Sequence, residues 1–225
     1  MIILINKYDF SHIFNFKANG NFASKKKLID QNILIAWGAT YKNYDTKEHI
    51  FAEGEKCYYY YQLTEGKVVW MNINEDGKEF IHKLVLPNDS FGELPLFDNE
   101  IYSADAVALE KSVILRLPRL TFIQLIKENP EIMFKFNKIL TEHLRFKFLL
   151  LKTIAFENPE NRVYTLLNYL KDKYGTNDTP FQIDLTRQQI ANMTGLRVET
   201  VIRVIRKLYD KGELTIEHGK VKMNN

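Results

Sequence analysis

Apolar and polar positions change their period along the chain, and each change marks a different kind of element. From His49 to about Leu117 the apolar runs are short and are broken by Gly54, Gly66, Gly77 and Gly92. Cys57–Tyr61, Lys67–Met71, Glu79–Val85 and Ser112–Leu117 are rich in β-branched and aromatic residues, which predicts the strands of an all-β sandwich or roll. Asn74-Glu-Asp-Gly77 predicts a hairpin turn between two of them. After Pro118 the period becomes helical, with a short helix to Glu128 and a second one opened by Asn129-Pro130 that runs to about Ala155. In that long helix Ile132, Phe136, Ile139, His143, Phe146 and Leu150 are spaced alternately by four and three, a coiled-coil-like seam. Met133, Leu140, Leu144, Phe148, Leu149 and Leu151 widen its apolar surface, so it must bury more than one side. It packs either as a core helix of one chain or as the joint of a dimer. Asn158-Pro159, an N-cap followed by proline at the first helical position, is the best domain boundary. Val163, Leu166, Leu167 and Leu170 give the next helix its core face, and 175–180 is a polar loop.

The last third reads as two short helices around a tight turn. Thr186 caps the first, and Gln189 three residues later closes a capping box. Ile190 and Met193 form its apolar side, and Gly195 supplies the positive φ at the turn. From about Val198 to Lys211 the apolar positions Val201, Val204, Ile205 and Leu208 face inward. Arg197, Glu199, Thr200, Arg203, Arg206 and Lys207 are left outside. An ordinary helical hairpin with a solvated charged face would share this pattern. The following hairpin, Leu214–Glu217 and Lys220–Met223 around His218-Gly219, makes the unit a winged helix, and its second helix suits a DNA major groove.

Composition narrows the class. With 225 residues, 45% hydrophobic and 26% charged, the chain has the make-up of a soluble globular protein and can bury a sizeable core. No apolar run reaches membrane-span length, and Met1–Ile5 is too short for a signal segment. One cysteine, Cys57, excludes an internal disulfide framework and multi-cysteine iron–sulfur ligation, and it suits the cytoplasm. The net charge of +3 lies wholly after residue 158, where eleven basic side chains face eight acidic ones. That is a modest footprint, consistent with DNA binding when a dimer doubles it but not diagnostic of it. No P-loop, HExxH or nucleophile setting points to an enzyme.

The C-terminal stretch resembles the Crp/Fnr family of bacterial transcription regulators. The shared residues are Leu185-Thr-Arg, Ile190-Ala, Gly195-Leu196, Glu199-Thr-Val-x-Arg203, and Leu208 before Lys211-Gly212. Upstream, Ile50-Phe-Ala-Glu-Gly-Glu55, Gly66-Lys-Val68, Asp89-Ser-Phe-Gly-Glu-Leu94 and Ala106-Val-Ala108 resemble that family's cyclic-nucleotide-binding β-roll. The resemblance covers about 48–225; Asn88 replaces a usual glycine, which asparagine's tolerance of left-handed backbone permits. It implies an α+β chain with three parts: a β-roll or jelly-roll effector domain over 1–128, of which 1–48 is poorly defined; a dimerisation helix over 129–157; and a winged helix-turn-helix over 158–225. The partners implied are double-stranded DNA, a second copy of the chain, and RNA polymerase if the protein is an activator, with no membrane.

The resemblance also assigns residues. Glu199 accepts from cytosine and Arg203 donates to guanine; Val198, where catabolite-activator types carry arginine, favours TTGA over GTGA half-sites. Thr186, Arg187, Gln188, Arg197 and Thr200 contact the DNA backbone. In nucleotide-binding relatives a glycine–glutamate pair and an arginine–serine pair hold the ribose and phosphate. Here Gly92, Glu93 and Ser103 are present, but the arginine position is Tyr102. Lys147-Phe148 stands where such relatives offer hydroxyls to the purine. A buried phosphodiester needs a fixed cation, so conventional cyclic AMP binding is not expected. Gly92 then reads as a turn residue, and Glu93 as an acceptor of backbone N–H groups. A pocket filled by its own side chains and one taking a more apolar effector both remain open. Haem occurs in the family, and His12, His49, His82 and His143 are unassigned candidates; no cofactor or metal ligand is predicted. Two readings stand beside the leading one: a cyclic-nucleotide-responsive regulator with a rearranged phosphate site, and a ligand-binding or scaffold protein that does not bind DNA.

Overall fold

The computed structural model describes residues 29–175 and 180–223. Phe10, Phe14, Phe16 and Phe22, aromatics that the sequence suggests pack onto the following domain, the basic run Lys25-Lys26-Lys27, which reads as a solvated face, His12 and the core of the loop after Gly175 all lie outside those residues.

The chain opens with α1 (Gln31–Ala36), capped by the Asp30 carboxylate, and β1 (Thr40–Tyr44). There follow β2 (His49–Phe51), β3 (Tyr59–Glu65), β4 (Val68–Ile73), β5 (Glu79–Val85) and β6 (Ser90–Phe91). A short helix α2 (Leu94–Asp98) precedes β7 (Asp105–Ala108) and β8 (Ser112–Pro118). The strands form two four-stranded sheets, ordered β1-β8-β3-β6 and β2-β7-β4-β5, with antiparallel pairing throughout. This is the expected β-roll. Strand β1 was hidden in the poorly defined first segment: among the described strands Thr-Tyr-Lys-Asn-Tyr pairs only with β8, and its exposed side carries no apolar alternation to read. The β3–β4 turn requires Gly66, at φ +90°, because a Cβ there would lie 2.4 Å from the Ser112 hydroxyl. Asn88 adopts φ +75°, as anticipated for a glycine substitute.

Five helices, a strand and the wing complete the described chain. They are α3 (Arg119–Glu128), α4 (Pro130–Phe156), α5 (Pro159–Tyr174), β9 (Phe181–Ile183), α6 (Arg187–Thr194), α7 (Val198–Asp210), β10 (Leu214–Glu217) and β11 (Lys220–Met223). Strand β9 was not foreseen; three residues are too few for a periodic signal, yet it pairs with β11 and widens the wing to three strands. The Asn158 side chain caps α5 over Pro159. His218 and Gly219 both have positive φ, as a two-residue hairpin turn demands.

Three apolar clusters hold these parts. One fills the roll around Tyr61, Leu63, Phe91 and Tyr102. A second joins α1, β3 and α3 to the start of α4, where Tyr60 stacks on Phe122 at 4.5 Å between ring centres. The third is shared by the outer side of β4, β5 and β7 (Met71, Ile81, Val107), by the latter half of α4, and by α5, α6 and α7. The C-terminal unit is therefore packed on the roll. Helix α6 is wedged between β5 and its own domain, which buries six of its eight residues. Asn192 donates to the Glu79 carboxylate at 2.6 Å across that contact, with both side chains buried.

This packing bears on the two alternatives left for the seam of the long helix. Ile132 and Phe136 are buried against α3 and β3, with Ile139 partly covered beside them; Phe146 and Leu150 are buried against α5. His143 is half-buried. The predicted seam thus faces the chain's own cores, because α4 lies between the roll and α5. What remains outward is a different apolar row, Met133, Leu144, Phe148 and Leu151, all exposed.

Candidate nucleic-acid interface and effector pocket

Helix α6 begins with the predicted capping box: the Thr186 hydroxyl accepts from Gln189 N–H, and the Gln189 side chain accepts from Thr186 N–H. It ends at Gly195, φ +68°. That turn sets the start of α7, whose Val201, Val204, Ile205 and Leu208 are buried. Glu199 and Arg203, one turn apart, are exposed on the opposite face. The Arg203 guanidinium reaches the Thr200 hydroxyl, at a long 3.4 Å. Val198 is half-buried against the third cluster, so it offers an apolar edge beside Glu199. Further along the helix, cations are tied down. Arg206 pairs with Asp210 at 3.3 Å, and Glu160 of α5 binds both Lys207, at 2.5 Å, and Lys211. Those two lysines, bonding first through Lys207, hold the Glu160 carboxyl below its ordinary range. Among the described residues the charged side chains at the N-terminal half of α7, Glu199 and Arg203, are the ones outside these ion pairs, and this half enters a groove in helix-turn-helix docking.

The residues expected on the DNA backbone divide into two groups. Arg197 is exposed at the N-cap position of α7 and makes no capping bond, so it stands at the end of the helix where the first N–H groups lack intrahelical partners. That is a favourable place for a phosphate. Arg187 instead folds onto the wing and donates to the Gly219 carbonyl at 3.3 Å. Gln188 donates to Asn192 at 2.8 Å, and Thr186 is engaged in its cap. No sequence signal points to the bond between Arg187 and Gly219, because it depends on how the wing folds back.

The six residues expected around the effector pocket do not form one constellation. The Tyr102 ring lies flat on Phe51, with centroids 3.7 Å apart and planes 9° from parallel. Phe91 and Tyr61 close around that stack. Gly92, at φ +69°, is required by the packing, since a Cβ would come within 2.7 Å of the Phe51 ring. Buried Glu93 accepts from the Ser90 hydroxyl at 2.8 Å, where a backbone N–H partner was expected. Ser103 is exposed, and its carbonyl accepts from Asn72. Lys147 faces His82, with Nζ 2.9 Å from Nδ1, while Phe148 is 65% exposed. Inside the roll, Tyr102 is thus packed among the chain's own rings Phe51, Phe91 and Tyr61. Phe51 was missed as a pocket residue because nothing local shows that β2 and Tyr102 meet.

The histidines are dispersed. His49 lies 3.9 Å from Asp105, and His82 bonds to Asn72. Among the described residues no three His, Cys, Asp or Glu side chains gather at metal-binding distance, and no helix is long and apolar enough to cross a membrane.

A β-roll sensor domain, a long connecting helix and a winged helix with an open N-terminal face define a two-domain transcription regulator. Residues 41–129 match the cyclic nucleotide-binding domain family, and 161–225 match the Crp-like helix-turn-helix domain family. The cAMP-activated global transcriptional regulator CRP of Pasteurella multocida is 34% identical over 180 residues, 79% of this chain and 86% of that one. The cyclic AMP receptor protein of Thermus thermophilus is 32% identical, over 80% of this chain and 82% of its own length. This chain belongs to the Crp/Fnr family of DNA-binding transcription regulators. Its fold is also similar to that of FixK2 from Bradyrhizobium japonicum (TM-score 0.71, 23% identity, 83% of this chain and 93% of that one).

Proposed function

We propose that this protein is a cytoplasmic homodimeric regulator, not an enzyme, that reads an inverted repeat of TTGA-like half-sites and is not switched by cyclic AMP inside its β-roll. The DNA half of this reading rests on α7, where Glu199 and Arg203 project together from the helix start beside an apolar Val198. Glu199 accepts from a cytosine amino group, Arg203 donates to guanine, and Val198 meets a thymine methyl. Backbone contacts come from Arg197 and Thr200, with Thr186, Arg187 and Gln188 joining once they exchange their present bonds. An activator of this kind would touch RNA polymerase. The exposed apolar row of α4 is the surface available for pairing two long helices.

The ligand half rests on the Phe51–Tyr102 stack. A cyclic nucleotide would have to displace that stack and would find tyrosine where a cation is needed. The identity to cAMP-activated relatives favours the competing reading, a cyclic-nucleotide-responsive regulator with a rearranged phosphate site. Selection on random duplexes tests the first half: enrichment of GTGA over TTGA half-sites would refute the role given to Val198. Calorimetry with cyclic AMP and cyclic GMP tests the second, and micromolar affinity for either would overturn it. A gel shift that failed to weaken with salt would favour a scaffold protein, since phosphate neutralisation requires counterion release.

A further inference from the structure

Helix α7 carries more cations along its outer face than it leaves free for DNA. Arg203 stands four residues after Glu199, and Lys207 four after Arg203, so the three follow one face of the helix. A duplex that meets Glu199 and Arg203 passes Lys207 one helical turn further on, about 5.4 Å along the axis. Yet Lys207 is already bonded. The Glu160 carboxylate, in the first turn of α5, takes Lys207 on Oε2 at 2.5 Å and Lys211 on Oε1. Each carboxylate oxygen thus holds one lysine. Asn158, Pro159 and Glu160 face Thr200, Arg203 and Lys207 across an open cleft, which puts this carboxylate beside the DNA-reading side of α7.

A negative charge at that place borders the phosphates of a docked duplex, so it calls for a reason. Stability supplies little of one. The Lys207 and Lys211 side chains are 60% and 46% exposed, and ion pairs of such solvated groups contribute little to folding. The helix dipole favours an acid in the first turn of α5, but that effect needs no lysine. Helices α5 and α7 are already joined by a shared apolar core that includes Val163, Leu166, Val204 and Leu208. What the pairing does change is the charge that α7 can offer to a phosphate.

We propose that Glu160 acts as an internal anion that withholds Lys207 from the DNA backbone and so holds down the sequence-independent part of the affinity. A lysine bonded to Glu160 displaces no counterion from the duplex, whereas the same lysine on a phosphate would. Binding then depends more heavily on the contacts made at the start of α7, where sequence is read. This rests on α7 being the helix that enters the groove, and not on which half-site it reads.

The test measures binding of the full chain by fluorescence anisotropy, between about 50 and 200 mM salt, on a duplex without half-sites and on a selected one. Glu160→Gln should steepen the fall of log K with log salt by about 0.9 on both duplexes, an extra loss of about 3.5-fold across that range. Lys207→Met alone should leave the slope as it is, because that lysine is already withheld. Added to Glu160→Gln, it should restore the original slope. Glu128→Gln makes the same change of net charge at an exposed position at the end of α3, and should have no effect on the slope. An unchanged slope in Glu160→Gln with a lowered melting temperature would make the pair a structural tie and overturn the proposal. A shallower slope in Lys207→Met alone, or equal steepening by Glu128→Gln, would overturn it too. Loss of half-site preference with this cycle of variants intact would remove the reading of Val198 and leave Glu160 its role.

Discussion

On the outer face of α7, Glu199 and Arg203 stand exposed while the lysines and arginines beyond them are paired off; inside the β-roll, Gly92, Glu93 and Tyr102 are each packed against or bonded to the chain's own groups. Both regions carry family motifs, and their side chains have opposite fates. A DNA-reading face must stay solvated until it meets base edges, so its residues are placed by a buried stripe on the far side of one helix. A ligand interior must be kept empty against the tendency of apolar side chains to close on each other. Where Tyr102 replaces a cation, nothing opposes that closure, and the ring stacks on Phe51.

The contrast can be broken from either end. The largest effect is expected from Tyr102→Ala, which removes a fully enclosed ring and should cost about 3–5 kcal/mol of stability in denaturant titration. A smaller loss would mean that the roll interior collapses easily. Arg203→Ala should weaken binding to the selected site by about 1–3 kcal/mol while leaving non-specific binding nearly unchanged. Equal losses in both would reduce Arg203 to a phosphate contact. Val198→Arg should move the preferred first base of each half-site from thymine toward guanine, readable in a repeated selection.

Two weaker effects concern the histidines and the cap. Burial, ahead of the neighbouring Lys147, lowers His82 to about 4, and His143 lies lower still. The folded chain keeps both neutral, whereas the unfolded chain takes up protons below about pH 6.5. Stability should therefore hold above that pH and fall toward pH 4, by about 1–2 kcal/mol per histidine at pH 5. His143→Phe should flatten the slope of melting temperature against pH. Thr186→Ala removes the hydroxyl half of the capping box and should cost about 1 kcal/mol.

Local features proved legible where one or two residues decide the backbone. The capping box at Thr186 and Gln189, the turn at Gly195, the left-handed Asn88 and the His218-Gly219 hairpin all follow from short-range sterics and hydrogen bonding. The α4 seam was not legible in its direction. Spacings of four and three mark Ile132 to Leu150 as one stripe, but they do not say whether a second chain or the same chain covers it. Strands β1 and β9 escaped because an edge strand of mostly polar residues and a three-residue strand carry too little alternation. Tyr102 was visible as a missing cation, but its partner Phe51 lies far from it in the chain.

The sequence by itself determined the longer helices, the main strands, the turns, the helix-turn-helix with its hairpin and the charge pattern on α7, because each depends on residues within a few positions of one another. Only the tertiary structure decided that Tyr102 stacks on Phe51 inside the roll, that Asn192 meets Glu79 beneath α6, and that Lys147 and Lys173 line one hollow. Those outcomes depend on which distant surfaces come to cover each other. Apolar burial drives such contacts without direction, and the final shape of all the packed elements selects among them.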